Sequence, residues 1–286
     1  MKKRRLRNRD RSFWFLLPSL SGVLLFFVLP FGLIIYYSLV GNPITEEFVG
    51  LDNFRALLKN PAFLQASKNT AILSLVAVPL AVLLPLGLAL LLDRAMPLKS
   101  WLRTAFLSPM LVPIASVVLV WQVLFHQNGS VNALLGVNVD WFHSPLGLVM
   151  VLLLCLWRNI GYHTILFAAG LAAVPRMYLD IAELDGAGKL RQFFSIKLRF
   201  LSSTLLFVTV MSLIMVMKIF REVYLLTGSY PYETLYLLQH FMNNTFRTMD
   251  YQKLCSAAIL LATVMSAVIA LLLRAENRIG RDLENE

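Results

Sequence analysis

The stretch Asp180-Ile181-Ala182-Glu183-Leu184-Asp185-Gly186-Ala187 lies between two apolar runs, each long enough to cross a membrane. Its acidic residues precede a glycine, and glycine adopts the left-handed backbone conformation at the least cost. The stretch therefore predicts a helix that ends at Gly186 and a second helix that follows. Small residues around the turn would let another surface approach closely: Ala182, Gly186, Ala187 and Gly188. The alternative is a solvated loop with an incidental glycine.

The composition around this stretch is that of an integral membrane protein. Hydrophobic residues make up 58% of the chain and charged residues 15%, against about 25% charged in ordinary soluble domains. The apolar pattern is continuous, whereas the strands of a membrane barrel would alternate over about 10 residues. A membrane-spanning helix needs about 20 apolar residues. We therefore predict an all-α membrane protein with six transmembrane helices, at roughly 13–39, 70–92, 104–126, 145–173, 201–222 and 254–273.

Prolines mark the irregular spans. The third span is the weakest of the six because it contains Pro109 and Pro113, and Pro79 and Pro85 predict kinks in the second. Membrane helices tolerate proline where neighbours satisfy the freed carbonyl groups.

The net charge of +10 has a topological origin. Most Lys and Arg residues lie before span one, between spans two and three, between spans four and five, or after span six. The opposite side has only a few: Arg55, Lys59, Lys68, Arg247 and Lys253. Because positive residues stay on the cytoplasmic side, both termini and the 180–187 stretch are predicted to be cytoplasmic. This distribution argues against nucleic acid as a partner.

The predicted domain organisation follows from these spans. Residues 1–12 form a basic cytoplasmic N-terminus, residues 13–276 one transmembrane domain, and residues 277–286 a cytoplasmic tail. The first apolar run is too long for a signal peptide and is predicted to be retained as a span. In the first outer loop, Phe54, Leu57 and Leu58 have the i, i+3, i+4 spacing of a short amphipathic helix.

No assembled catalytic or metal-binding set is evident in the sequence. The four histidines lack a ligand spacing, and no Gly-x-Ser-x-Gly element occurs. Glu183 and Leu190 occupy the positions where a phosphate loop needs Gly and Ser or Thr. The chain is therefore predicted to be no enzyme and to hold no metal or cofactor, and any ATP hydrolysis belongs to a separate polypeptide.

Arg158 is the outstanding charge within a predicted span, in Trp157-Arg158-Asn159. A charge at that depth costs at least about 2.5–3.5 kcal/mol, so it faces protein or water rather than lipid. Two interpretations remain open. Arg158, with Trp157 and Asn159, lines a transport path, or Arg158 pairs structurally with a helix carbonyl or an unidentified acid. Lys218 and Arg221 are explained by snorkelling to the lipid headgroups.

Residues 180–188, with Phe193, Ile196 and Leu198 after them, resemble the EAA loop of binding-protein-dependent ABC import permeases. The segment 169–175 is similar to the lead-in of that loop. Residues 48–54, the Leu17-Pro18-Ser19 triplet and residues 220–228 also resemble segments of the sugar and glycerol-phosphate permeases, in the same order. The resemblance covers about residues 12–276 and is greatest to the maltose-type first permease subunit.

The resemblance implies a permease subunit of an ATP-driven importer in the plasma membrane of a prokaryote. Such a subunit forms half of the translocation pathway for a sugar or related polyhydroxy solute, by alternating access. The implied partners are a second homologous permease, cytoplasmic ATP-binding subunits and an extracytoplasmic solute-binding protein. Carried over by residue, the positions coupled to the ATPase are Asp180, Ala182, Asp185, Gly186 and Ala187, with Glu183 at a variable position that could still contact it.

The chain also departs from the family pattern. Asp180 replaces Glu, Ile181 replaces Ala, and Arg199 stands where a Leu-Pro pair would place proline. The alternative function is a stand-alone secondary transporter, which would need acids within the membrane to bind H⁺ or Na⁺. The predicted spans contain essentially none, since Asp93 and Glu222 fall at span ends.

Overall fold

The computed structural model describes residues 15–41, 47–93 and 99–284. The predicted basic N-terminus, the first two residues of span one and the last two of the tail lie outside this part of the chain. The helices, numbered in chain order, are α1 (Phe15–Leu39), α2 (Asp52–Leu58), α3 (Pro61–Leu92), α4 (Lys99–Leu111), α5 (Ile114–Leu124), α6 (Ser130–Leu135), α7 (Gly147–Ala172), α8 (Arg176–Leu184), α9 (Lys189–Gln192), α10 (Leu198–Phe200), α11 (Ser202–Lys218), α12 (Phe220–Thr227), α13 (Leu238–Arg247) and α14 (Tyr251–Glu284).

Three short elements have other geometry. One π-helical turn, Leu24–Val28, lies within α1, a second, Phe193–Lys197, joins α9 to α10, and a 3₁₀ turn, Glu233–Leu235, precedes α13. The described chain is helical apart from loops and one isolated bridge between Val40 and Phe48. The predicted all-α class is therefore confirmed.

Five helical segments are long and apolar enough to cross a membrane: Phe15–Leu39, Pro61–Leu92, Gly147–Ala172, Ser202–Thr227 and Tyr251–Arg278. The remaining predicted span, the third, is divided into Thr104–Leu111 and Ile114–Leu124, which are bent by 98°. The described residues thus contain five candidate spans, or six if the bent pair forms one.

Proline explains the break in the third span. Pro113 has no N–H and disfavours helical geometry at the residue before it, and it sits with ψ 135° at the start of α5. Pro79 and Pro85 lie inside α3, which continues through both. The third span was correctly predicted to be the weakest. The second begins nine residues before the predicted start, at Pro61.

The chain divides into two compact units, and each is described by itself. One consists of the described residues up to Pro61 together with Met242–Met265. Here the side-chain amide of Asn53 donates to the carbonyls of Ser38 (3.0 Å) and Val40 (2.9 Å), which ties α2 to the end of α1. The predicted amphipathic helix is present as α2, with Leu57 buried and Leu58 exposed.

The other unit, Ala62–Phe241 with the residues from Ser266 onward, contains the candidate site. One apolar cluster surrounds Leu73, Val151 and Val216, and a second surrounds Phe167 and Leu201. Both clusters contain residues of α3, α7 and α11, and the first also includes residues of α5, α12 and the 3₁₀ turn. These three helices form the scaffold that positions the site.

Candidate functional site

The segment 176–192, called the elbow below, joins the fourth candidate span to the fifth. Its first helix, α8, ends at Leu184, and Gly186 has φ +73°. The N–H of Ala187 donates to the carbonyl of Ala182 (2.8 Å), and that of Gly186 to Glu183 (3.0 Å). This pair of bonds is the Schellman motif, which satisfies the last carbonyls of a helix. The predicted helix end at Gly186 therefore has a defined backbone geometry.

The second helix of the elbow begins directly after this turn. Gly188 has φ −64° and precedes α9, and its carbonyl accepts from the N–H of Gln192. The side-chain amide of Gln192 donates to the carbonyl of Ala187 (2.9 Å). The elbow thus satisfies its own backbone groups through local bonds.

The outer surface of the elbow is exposed and largely apolar. Met177, Ile181 and Leu184 share one face of α8 by their i, i+4, i+7 spacing, and Leu184 is 88% exposed. Leu190, on the second helix, is 76% exposed. Contiguous exposed apolar groups mark interaction surfaces. This face is therefore a candidate interaction surface.

The six predicted coupling residues lie in the last turn of α8 and in the glycine turn. Asp180, Glu183, Asp185 and Gly186 are exposed, whereas Ala182 and Ala187 are half-buried. Within the described ranges, the three carboxylates form no side-chain hydrogen bond or ion pair.

Contacts at the base of the elbow connect it to other helices. The rings of Tyr178 and Phe200 lie 5.5 Å apart. Lys197 Nζ lies 3.1 Å from Asp93 Oδ2, just after α3. The hydroxyl of Ser203 donates to Glu276 Oε1 (2.9 Å) in α14. Through these contacts, the elbow and the residues that follow it meet the ends of three candidate spans.

Arg158 faces a cavity of about 340 Å³ within the same unit. Its guanidinium nitrogen Nη1 lies 3.0 Å from Glu222 Oε1, with side-chain exposures of 20% and 13%. A nitrogen of Arg221 lies 3.6 Å from the same oxygen. The remaining lining includes Met110, Asn159, Tyr162, Met215 and Lys218.

Only two of the three predicted path residues, Arg158 and Asn159, line the cavity. Asn159 lines the cavity with Arg158, and its amide donates to the carbonyl of Cys155 (2.9 Å). Trp157 is not in the lining, is 45% exposed and has its ring 6.2 Å from that of Trp121. The sequence left two pairing partners open for Arg158, a helix carbonyl and an acid. The structure shows the acid, Glu222.

Sequence reasoning missed Glu222 as that acid. Span five was predicted to end at residue 222, but its helices continue to Thr227, so Glu222 lies within a candidate span. The signal that would have found it is the tendency of intramembrane charges to pair with each other. Lys218 and Arg221 also line the cavity, which the snorkelling interpretation did not anticipate.

The segment after α12 is anchored by His240. Its side chain is fully buried, with its ring 4.7 Å from that of Phe220. The N–H of Leu237 donates to His240 Nδ1 (3.4 Å), and Nε2 has no partner among the described residues. Burial lowers the pKa of His240 to about 4, so the ring is neutral near pH 7.

The part of the chain that the structure describes contains neither a metal-binding cluster nor a disulfide. No three His, Cys, Asp or Glu side chains there lie close enough to hold a metal ion. Cys155 and Cys255 are both free and buried, as expected for small apolar side chains.

The fold and these sites define a multi-pass helical membrane protein with a polar cavity and an exposed elbow. The chain belongs to the family described as binding-protein-dependent transport system inner membrane component, which matches residues 81–283. It is thus a non-catalytic, multi-pass inner-membrane permease subunit of an ABC importer, as the resemblance implied. Family membership, rather than a lack of intramembrane acids, decides against a stand-alone secondary transporter.

Individual relatives agree with this assignment. The chain is 32% identical to the sn-glycerol-3-phosphate transport system permease of Pectobacterium atrosepticum, over 71% of this chain and 73% of that protein. It is 28% identical to the sulfoquinovosyl glycerol transport system permease of Agrobacterium fabrum, over 94% of this chain and 91% of that protein. It is 29% identical to the trehalose/maltose transport system permease of Thermococcus litoralis, over 80% of this chain and 81% of that protein.

Solved structures support the fold. The chain matches a bacterial ABC transporter involved in alginate import with a TM-score of 0.83 and 21% identity, over 96% of this chain and 99% of that one. A second match, at TM-score 0.82 and 19% identity over 97% of each chain, is a bacterial alginate ABC transporter in complex with an alginate pentasaccharide-bound periplasmic protein.

Proposed function

We propose that this chain forms half of the translocation pathway of an importer for a sugar or related polyhydroxy solute. Support for the solute class comes from the relatives, which are named for sulfoquinovosyl glycerol, glycerol phosphate and trehalose/maltose. The mechanism is alternating access, in which the spans rearrange around a central site while ATP is hydrolysed by other subunits. The partners are a second homologous permease, cytoplasmic ATP-binding subunits and an extracytoplasmic solute-binding protein.

The proposed topology places both termini and the elbow in the cytoplasm, with residues 13–276 as the transmembrane domain. It rests on the charge bias of the loops. The bias gives the elbow side most of the Lys and Arg residues, including Lys189 and Arg191 in α9.

One observation carries the coupling role. An elbow that satisfies its own backbone groups still exposes apolar side chains, with Leu184 at 88%. An ATP-binding subunit would cover this face and contact Asp180, Ala182, Glu183, Asp185, Gly186 and Ala187. Closure of the ATPases would then move the elbow against the bases of α3, α11 and α14.

The cavity at Arg158 is the proposed part of the solute path. Its volume of about 340 Å³ lies in the range of small-ligand sites. Arg158 and Asn159 supply polar groups to its wall, whereas Trp157 lies outside it.

Cross-linking tests the coupling proposal directly. Asp180→Cys is introduced into the assembled importer, and a membrane-impermeant maleimide and a thiol cross-linker are applied from either side of the membrane. Asp180→Cys should react only from the cytoplasmic side and cross-link to an ATP-binding subunit. The two native cysteines are buried and give a low background.

Leu134→Cys is the matched control, since Leu134 is 87% exposed and lies between the third and fourth spans. It should react only from the outside and form no adduct with the ATPase. Labelling of Asp180→Cys from the outside, or its failure to cross-link in an active importer, would refute the coupling role.

A further inference from the structure

The cavity at Arg158 has an unbalanced charge. Among its described lining residues, three side chains are cationic, Arg158, Lys218 and Arg221, and one is anionic, Glu222. These four leave a net charge of +2. A neutral sugar would gain no binding energy from this excess positive charge, whereas an anionic group would.

Glu222 cannot neutralise all three cations. Its Oε1 lies 3.0 Å from Arg158 and 3.6 Å from Arg221, so one oxygen serves both guanidinium groups. Within the described part of the chain, the ammonium of Lys218 has no ion pair or hydrogen bond. Lys218 and Arg221 are exposed on one side of the cavity, while Arg158 and Glu222 are mostly buried.

Two buried polar atoms in the cavity wall also lack partners among the described residues. They are Arg158 Nε, a donor, and Glu222 Oε2, an acceptor. A buried polar group without a partner is costly, and such exceptions call for an explanation. Because both atoms are closed to solvent, a solute in the cavity meets the charges of its wall and not these two atoms.

We propose that the solute of this permease carries an anionic group on a hydroxyl-bearing body, and that this cavity binds it. Lys218 and Arg221 hold the carboxylate, phosphate or sulfonate group. This inference rests on the proposed function and narrows its solute class from polyhydroxy compounds to acidic ones.

Glu222 sets the strength of the site in this arrangement. Its carboxylate competes with the solute's anion for the field of the same guanidinium groups. Removing the charge of Lys218 therefore weakens anion binding, whereas removing that of Glu222 strengthens it. The two variants should therefore change anion affinity in opposite directions. Variants that only destabilised the protein would both weaken binding.

The test is equilibrium binding to the assembled importer in nanodiscs of neutral phosphatidylcholine. The probes are radiolabelled glucose, glucose 6-phosphate, glucuronate and inorganic phosphate. Glucose 6-phosphate or glucuronate should bind at least tenfold more tightly than glucose. Lys218→Gln should weaken that binding fivefold to tenfold, about the effect of one partly solvated charge pair, and Glu222→Gln should tighten it by a similar factor.

Lys59→Gln is the matched control. It makes the same chemical change at an exposed lysine of the same predicted side, outside the cavity, and it should leave binding unchanged. The proposal is overturned if glucose binds as tightly as the charged sugars, if none of the probes binds, or if Lys218→Gln behaves like Lys59→Gln.

A lipid headgroup offers the same anionic chemistry, so a second arm uses nanodiscs that contain phosphatidylglycerol. Lys218 is a lipid contact, and the inference fails, if Lys218→Gln loses copurified phosphatidylglycerol while its glucose 6-phosphate binding is unchanged. Failure of the proposed function looks different. In that case no ATP-binding subunit cross-links to the elbow, whichever solute binds.

Discussion

The ammonium of Lys197 lies 3.1 Å from the carboxylate of Asp93, which joins the π-helical turn before the fifth span to the end of α3. Pairs as exposed as this one contribute only about 0.2–1 kcal/mol to stability. Its position at the base of the elbow suggests a mechanical role, since it links the proposed ATPase contact to a second span.

We expect Asp93→Asn to lower transport more than it lowers ATP hydrolysis, because the elbow would move with less effect on α3. The number of solutes imported per ATP should fall several-fold, while the midpoint of thermal unfolding changes little. The exchange Asp93→Lys with Lys197→Asp should restore part of the ratio. If transport and hydrolysis fall in parallel in the single variant, the pair has no coupling role.

Gly186 and Gly188 provide a matched pair for testing the turn. A Cβ at either position meets no atom within 4 Å, but only Gly186 has a positive φ. Gly186→Ala should cost about 1 kcal/mol in the turn and reduce ATP-driven uptake, and Gly186→Val should abolish uptake without preventing membrane insertion. Gly188→Ala should retain most uptake. Equal loss from both alanine variants would mean that surface shape, not backbone geometry, is what matters.

Gly161 lets α7 approach α4 closely. A Cβ at this position would overlap the backbone carbonyl of Phe106, which cannot turn aside. Gly161→Ala should therefore destabilise the protein by about 3 kcal/mol, at the upper end of the usual cost of overpacking.

The control for this prediction is Gly87→Ala in α3, where a Cβ meets nothing within 4 Å. Alanine is favoured over glycine inside a helix by about 0.5–1 kcal/mol, so this variant should be slightly more stable. Thermal unfolding of the detergent-purified protein measures both changes. The packing explanation fails if the two substitutions have the same sign.

Arg158 and Glu222 should show strong coupling in a double-mutant cycle. Removing Glu222 leaves Arg158 as an unpaired, mostly buried charge, and removing Arg158 leaves Glu222 only the longer contact with Arg221. We expect Glu222→Met or Arg158→Met to cost about 3 kcal/mol each. Arg158→Met combined with Glu222→Met should be more stable than either single variant. Additive losses in thermal unfolding would show that the two groups do not depend on each other.

Because His240 is buried, we expect the free energy of unfolding to fall in acid. Its pKa is lowered by burial from 6.5 to about 4 in the folded chain, so between these values the unfolded chain binds a proton that the folded chain does not. Stability therefore falls as the pH decreases from 6.5 to 4, by on the order of 2–3 kcal/mol from this group.

Thermal unfolding at intervals across this range measures the effect. His240→Gln should flatten the pH dependence between 6.5 and 4, although it lowers stability at neutral pH. His126→Gln, the same change at an exposed histidine, should keep the wild-type slope. A slope unaffected by His240→Gln would assign the acid sensitivity to other groups.

Local chemistry made several features predictable. The helix end at Gly186 follows from one residue's conformational freedom, and the weakness of the third span follows from Pro113. The short helix around Leu57 follows from apolar spacing over one turn. Each of these depends on residues within a few positions of each other, so a single sequence is enough to find them.

Long-range contacts were not predictable in the same way. The pair of Arg158 with Glu222 joins residues 64 positions apart, and no spacing rule connects them. Trp157 was assigned to the cavity because it neighbours Arg158 in sequence, but successive residues of a helix point in different directions. The placement of Lys218 in the same cavity likewise depends on which face of α11 meets α7.

The sequence by itself determined the helical membrane class, the presence of long apolar segments and the helix end at Gly186, because hydrophobic length and glycine geometry act locally. Tertiary structure alone decided the pairing of Arg158 with Glu222 and the charge of the cavity. These depend on how helices pack against one another, and packing brings together residues that no local pattern relates.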